Sequence, residues 1–173
     1  MNEKFSIRNI VLAGLFTAMI FVVTYFPRIP TARGYIHIGD SVIYVAACLL
    51  NHPAAAISAA LGGFLTDALS GYVAWAPYTA IIKAALTIPF TAMGARMLSL
   101  RNFLAALAAF PITIGGYYLA AWMITGDRFV PLAEVPFNAV QAGVSMLIFI
   151  AVAAGMDKAG LKNRLAGPSA GGK

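Results

Sequence analysis

The chain has 173 residues, of which 61% are hydrophobic and only 10% are charged, and its formal net charge is +6. Soluble domains average about 25% charged residues, so the composition excludes an ordinary soluble domain and predicts a protein that lies in a lipid bilayer. The basic residues are spread among the ends of apolar segments and form no stripe, which argues against nucleic acid as a partner.

Six apolar segments predict an all-α fold: a single polytopic membrane domain over residues 1–173, built as a bundle of six transmembrane helices. The segments are about Ile7–Phe26, Ser41–Leu50, Ala54–Ser70, Pro77–Met97, Leu104–Ile124 and Pro136–Met156. A spanning helix needs about 17–25 residues, so segments one, four, five and six qualify, the third is marginal and the second is short. The tail over residues 159–173 is predicted to be disordered.

The placement of Lys and Arg predicts the orientation of the bundle. With six spans, the two termini and the second and fourth connections share one side, which carries Lys4, Arg8, Arg96, Arg101, Lys158, Lys162, Arg164 and Lys173. The opposite side carries Arg28, Arg33 and Arg128. Because cytoplasmic loops are enriched in Lys and Arg, we expect both termini to be cytoplasmic. The longer, chemically richer connections then face outward, where binding groups are expected.

The stretch Thr66–Lys83 contains two charges in apolar surroundings, Asp67 and Lys83, on either side of an aromatic turn. A charge at membrane depth costs roughly 2.5–3.5 kcal/mol, so it usually has a partner or a function. Two interpretations stay open: an ion pair between consecutive helices, or contacts to a polar ligand. Tyr72 and Trp75 (with Tyr78) could provide walls on which a flat ring stacks, although such residues also favour membrane interfaces.

The first outer loop supplies His37 and Asp40. Asp40 suits the N-cap of the second helix, and it could also contact a ligand. His37 is a candidate polar contact in an outer pocket. No metal site is expected, because His52 belongs to the opposite side and no Cys/His cluster exists. Cys48 is interpreted as a small buried hydrophobic residue.

Two further groups of residues are candidates. Asn138 and Gln141 share one face of the sixth helix, where they could bridge helices or bind a ligand. Tyr117, Tyr118 and Trp122 on the fifth helix suit the membrane interface, with the pocket as an alternative for them. Small residues also recur four apart, as they do at close helix contacts: Ala55, Ala59 and Gly63 on the third helix predict internal packing, whereas Gly14 and Ala18 on the first could meet an external partner.

No Walker A sequence, HExxH, GxSxG or nucleotide-binding fingerprint is present, which favours binding of a solute over its chemical conversion. Two alternatives remain open at this point. One is an intramembrane enzyme that uses Asp67 and Lys83, or His37 and Asp40, as acid and base. The other is a small transporter that works without partner subunits.

The series FPRIPTARGYIHIGD and GGFLTDALSGYVAWAPYTAIIK resembles the substrate-binding S components of energy-coupling factor (ECF) transporters. The similarity covers about Ile7–Met156 and is greatest to the riboflavin-transporter-like group, which includes proteins assigned to pyridoxine or hydroxymethylpyrimidine. It implies six helices in a prokaryotic cell membrane, a vitamin pocket at the outer face, and no cofactor in this chain. Pyridoxine or hydroxymethylpyrimidine is the favoured substrate type, with riboflavin second.

The resemblance also implies partners. S components work with a transmembrane T component and two cytoplasmic ATPases, which use the ATP. A small-residue motif on helix one docks against the T component in this family, and Gly14 and Ala18 match it with glycine in place of the first alanine.

Overall fold

The computed structural model describes residues 7–31 and 34–162. Within them, six α-helices form a bundle: α1 (Ile7–Tyr25), α2 (Asp40–Leu49), α3 (His52–Leu69), α4 (Ala76–Leu86), α5 (Leu100–Thr125) and α6 (Val135–Lys158). A short antiparallel hairpin, β1 (Arg28–Pro30) and β2 (Tyr35–His37), joins α1 to α2, and a 3₁₀ helix (Val130–Glu134) leads into α6. The architecture confirms an all-α bundle with one small hairpin added.

Three of the described helical segments are long and apolar enough to cross a membrane: Ile7–Tyr25, Leu100–Thr125 and Val130–Lys158. The short second helix agrees with the sequence, as does the start of α3. There the Asn51 side chain caps the helix by accepting a hydrogen bond from the Ala54 amide, and a proline occupies the first turn. The part of the predicted tail beyond Lys162 lies outside the described residues.

The fourth helix is shorter than the predicted Pro77–Met97. It ends at Leu86, and the chain then runs through turns and irregular backbone as far as Ser99. Pro89 has no amide to donate and disfavours helical backbone in the residue before it, while Gly94 has a φ of +91°, which a helix does not allow. The predicted segment extended to Met97 because it remains hydrophobic throughout, and hydrophobicity does not show that Pro89 and Gly94 interrupt the helix.

Side chains of α5 and α6 hold this irregular segment. Asn102 accepts a hydrogen bond from the Thr91 amide and donates to the carbonyl groups of Thr91 and Met97. The Asp157 carboxylate accepts from the amides of Met97 and Leu98. These contacts satisfy backbone groups that a helix would otherwise satisfy internally, as a membrane environment requires.

The hydrophobic core includes residues of the helices and also Phe90 and Met97 of this irregular segment. Tyr44, Phe90 and Phe149 are fully buried there, with ring centroids 5.0–5.9 Å apart. The small residues of α3 pack internally, as the sequence predicts: Ala55 and Ala59 are fully buried. A side chain at Gly63 would lie 2.8 Å from Lys83 Cγ on α4, so glycine permits the close contact between these helices.

Candidate functional site

The three connections α1–α2, α3–α4 and α5–α6 meet at one end of the bundle, around a cavity of about 600 Å³ including its open mouth. The sequence predicts these same connections on one side of the membrane. The residues that line the cavity are Thr24, Gly34, Tyr35, His37, Asp67, Tyr72, Trp75, Thr79, Tyr117, Ala121, Glu134, Asn138 and Gln141. Five helices and the hairpin therefore contribute to one site.

The hairpin is attached to α3 by side-chain hydrogen bonds. The Tyr35 hydroxyl donates to Asp67 Oδ1 at 2.5 Å. The Arg28 guanidinium donates to the hydroxyl of Ser70, just beyond the end of α3, and lies over the ring of Tyr25 at 4.8 Å. Asp67 is therefore paired with a tyrosine and not with Lys83, which corrects one of the two sequence interpretations.

A second set of bonds attaches the same loop to the start of α6. The Thr31 hydroxyl donates to Glu134 Oε2 at 3.0 Å, and the His37 amide donates to Gln141 Oε1 at 3.3 Å. His37 Nδ1 accepts from the Gly39 amide at 3.0 Å, which leaves that nitrogen without a proton. Burial, and next the positive charge of Lys83, lower the pKa of His37 to about 3, so the ring is neutral at physiological pH.

Lys83 pairs with Asp40 across the bundle. Its ammonium group lies 2.5 Å from Asp40 Oδ1, and Gln141 Nε2 donates to Asp40 Oδ2 at 3.0 Å. Asp40 and Lys83 are 0% and 1% exposed, and neither lines the cavity. This arrangement joins α2, α4 and α6 beneath the site, and it supplies Lys83 with a buried counter-charge.

Asp40 does not cap α2, contrary to the sequence expectation. Gly39 occupies the cap position with no side-chain hydrogen bond, and Asp40 is the first helical residue. Lys83 and Gln141 both bond to the carboxylate, and the helix N-terminus nearby favours its negative charge. The Asp40 carboxylate therefore bonds to Lys83 and Gln141 on other helices instead of to the backbone of its own helix.

Aromatic rings form much of the cavity wall. Tyr35 and Tyr72 have ring centroids 5.4 Å apart, and Trp75 lies 6.4 Å from Tyr117. The Lys83 ammonium group is 5.2 Å from the centroid of the Tyr117 ring. A flat ligand would meet rings from the hairpin, the α3–α4 turn and α5.

Six of the eight predicted substrate-binding residues line the cavity: His37, Asp67, Tyr72, Trp75, Asn138 and Gln141. The other two, Asp40 and Lys83, lie behind it. The prediction missed Thr24, Tyr35, Thr79 and Glu134 as site residues and treated Tyr117 mainly as an interface residue. The position of Glu134 one turn before Asn138 was the available signal, since residues four apart share a helix face.

The predicted partner-interface residues lie on the outside of the bundle. Gly14 and Ala18 are both exposed on α1, and nothing apart from adjacent residues and backbone of α1 lies within 4 Å of the position a Gly14 side chain would take. The surface around them is apolar, with Ile10, Val11 and Leu15 more than half exposed. Such a face suits lipid or another membrane helix.

No group of three His, Cys, Asp or Glu residues that could hold a metal ion occurs among the described residues. Together, the apolar bundle and the ring-lined cavity at its end define a polytopic helical membrane protein with a solute-binding site. Comparison with curated proteins gave no match. Comparison with protein families gave one over residues 4–158, to the family described as ECF-type riboflavin transporter, S component.

The chain therefore belongs to the S components of ECF transporters, and it does so over nearly all of the described length. This family consists of substrate-binding transporter subunits and not of enzymes, which removes the intramembrane-enzyme alternative. Its members bind a vitamin and work with a T component and ATPases of the ECF module.

Proposed function

We propose that the chain captures a flat aromatic vitamin or vitamin precursor at the outer face of a prokaryotic cell membrane, as a multi-pass protein with cytoplasmic termini. The ligand enters the cavity formed by the hairpin, the α3–α4 turn and the start of α6. It is delivered inward together with a T component and two cytoplasmic ATPases, which hydrolyse the ATP. The chain itself needs no cofactor for this role.

The observation that carries the proposal is the combination of rings and polar groups in one cavity. Tyr35, Tyr72, Trp75 and Tyr117 provide apolar faces, while Asn138 on α6 provides an amide group next to Gln141, whose own amide bonds to His37 and Asp40. Pockets for small molecules commonly combine mostly apolar walls with a few convergent polar groups that orient the ligand. A planar heterocycle would stack its face on the aromatic rings and place the polar groups at its edge near the polar side chains.

We favour a substituted pyridine or pyrimidine of the pyridoxine or hydroxymethylpyrimidine type. Such a ring is small enough to stack between two aromatic side chains while its hydroxyl and amino groups reach the surrounding polar atoms. Riboflavin is the second candidate, and the match to the riboflavin-transporter family of S components supports it. All three ligands share the flat, heteroaromatic character that the proposal requires.

Mass spectrometry of small molecules that co-purify with the full chain tests the proposal directly. We expect one aromatic vitamin or precursor to be enriched over a mock purification from the same host. Its affinity is then measured by calorimetry on the purified protein. Enrichment of a non-aromatic solute, with no binding of pyridoxine, hydroxymethylpyrimidine or riboflavin, would contradict the proposed substrate class.

Uptake measurements separate the proposal from a transporter that works alone. In liposomes, we expect accumulation of the bound vitamin only when the T component and both ATPases are present with ATP. Flux through the isolated chain at a comparable rate would contradict the role as a capture subunit.

A further inference from the structure

Glu134 is a charged residue at the site for which no binding role was predicted from the sequence. It ends the 3₁₀ helix and lies on the same side of the helical segment as Asn138, one turn later, and all of Glu134, Asn138 and Gln141 line the cavity. One of its carboxylate oxygens, Oε2, accepts the hydrogen bond from Thr31. The other, Oε1, is buried and has no hydrogen-bond partner among the described residues.

A buried carboxylate oxygen without a donor is costly, because desolvation of a charged acceptor is not offset by a hydrogen bond. Two further polar atoms at the cavity are in the same condition. Thr24 and Thr79 are 3% and 4% exposed and line the cavity from α1 and α4, and neither Oγ1 atom has a partner among the described residues. Three unpaired polar atoms from different helical segments at one cavity are what a polar ligand would pair with.

The charges around the cavity give this acceptor its selectivity. Asp67 and Glu134 both line it, whereas the described lining residues include no Lys or Arg. Lys83 lies behind the wall and is paired with Asp40, and the nearby Arg28 donates to Ser70. His37 accepts a backbone hydrogen bond at Nδ1 and carries no charge to offset the carboxylates.

We infer that Glu134 is a specificity-determining ligand contact. Its Oε1 accepts a hydrogen bond from an N–H or O–H group of the substrate, and its charge selects neutral or cationic heteroaromatic rings over rings that carry a carboxylate or phosphate. The inference rests on the proposed function, whose ring-binding cavity it refines. On this inference, the edge of the substrate that faces α6 carries an N–H or O–H donor and no anionic group.

Two series of ligands, each built on one ring, test this selectivity by calorimetry on the full chain. Pyridoxamine, pyridoxine and 4-pyridoxate differ at one substituent, which is cationic, neutral or anionic. Riboflavin and riboflavin 5′-phosphate provide a neutral and an anionic flavin. For whichever ring binds, we expect the anionic member to bind at least tenfold more weakly than the neutral one, and pyridoxamine to bind at least as tightly as pyridoxine.

The variant Glu134→Gln removes the charge and keeps a carbonyl oxygen for the Thr31 hydroxyl. We expect it to weaken the neutral ligand and to reduce the discrimination against the anion at least threefold. Asp127→Asn is the matched control, because Asp127 is an exposed acid of the same connection that does not line the cavity. Equal affinity for neutral and anionic ligands in the wild type, or unchanged discrimination in Glu134→Gln, would overturn the inference.

A ligand-free measurement separates failure of this inference from failure of the proposed substrate class. If neither ring binds and hydroxymethylpyrimidine does not bind either, the proposed class is contradicted, and thermal unfolding of the empty protein still tests Glu134. We expect Glu134→Gln to unfold at the same or a higher temperature than the wild type, because the unpaired atom then belongs to a neutral amide, whose desolvation costs less than that of a charged carboxylate. A decrease of several degrees, absent in Asp127→Asn, would assign Glu134 a structural role and overturn the inference.

Discussion

The fully buried pair of Lys83 and Asp40 is the residue-level feature on which the site is built. It joins α4 to α2, and Gln141 extends it to α6 through the second carboxylate oxygen of Asp40. Gln141 in turn accepts from the amide of His37 in the hairpin. The two charges therefore position the residues of the cavity wall without lining the cavity themselves.

Removing one partner of this pair is expected to be far more damaging than removing both. Lys83→Met leaves the Asp40 carboxylate buried without its counter-charge, which should cost about 3–5 kcal/mol of unfolding free energy. The double variant Lys83→Met/Asp40→Leu should recover most of that loss. Unfolding in detergent measures both, with Lys158→Met at an exposed lysine as the control. Equal destabilisation by the single and double variants would contradict the pairing.

Trp75 is predicted to be a stacking residue. Trp75→Ala removes a ring that lines the cavity 6.4 Å from Tyr117, and it should weaken binding of the vitamin about two- to tenfold, as expected for loss of about 0.5–1.5 kcal/mol of aromatic contact. Trp122→Ala is the matched control, since Trp122 is 44% exposed and does not line the cavity. Calorimetry measures the ligand affinity of both variants, and equal losses of affinity would contradict a stacking role for Trp75.

At the level of the helices, glycine sets the distance between α1 and α3. A side chain at Gly62 would lie 2.6 Å from Ile20 Cγ2 and 3.2 Å from the Thr17 carbonyl oxygen. The neighbouring Gly63 does the same for α3 and α4. Helix α3 also carries Asp67, which lines the cavity. The close contacts of α3 with α1 and with α4 therefore help to set the position of this part of the cavity wall.

Gly62→Ala is therefore expected to lower the unfolding free energy by about 1–3 kcal/mol, since the extra methyl group meets a packed helix. Gly14→Ala makes the same chemical change on α1, where nothing apart from adjacent residues and backbone of α1 lies within 4 Å. Alanine is the better helix former, so this control should be neutral or stabilising by about 0.5–1 kcal/mol. Thermal unfolding of the two variants compares them, and a harmless Gly62→Ala would contradict the close contact.

For the whole molecule, the ligand cavity and the small-residue face of α1 are separate surfaces. The cavity lies where three connections meet at one end of the bundle, whereas Gly14 and Ala18 are exposed on the side of the first helix. A capture subunit needs both: one surface for the vitamin and one for its membrane partner.

Because the two surfaces are separate, we expect substitutions on the α1 face to affect uptake and not ligand binding. Gly14→Leu or Ala18→Leu should strongly reduce vitamin uptake by the assembled transporter while leaving binding by the isolated chain unchanged, because a bulky side chain blocks close helix contact. Ala151→Leu, on the exposed side of α6, tests whether any added leucine at the surface has this effect. Loss of ligand binding together with uptake would contradict a docking role for the α1 face.

The sequence alone was sufficient for the class of protein and for six of the thirteen described residues that line the cavity. Long apolar segments can satisfy their backbone groups in a bilayer only as helices or closed barrels, so composition and segment length predicted the bundle. The spacing of Asn138 and Gln141 placed both on one helix face, and both line the cavity. These are local properties, and local sequence specifies them.

Only the tertiary structure decided which charges pair and which residues meet the cavity. The ion pair considered from the sequence was Asp67 with Lys83, but packing brings Asp40 to Lys83 and Tyr35 to Asp67. The end of α4 at Leu86 likewise depends on Asn102 and Asp157 satisfying the irregular backbone that follows. Pairings across the bundle depend on the rotation and distance of whole helices, and no local pattern in the chain contains that information.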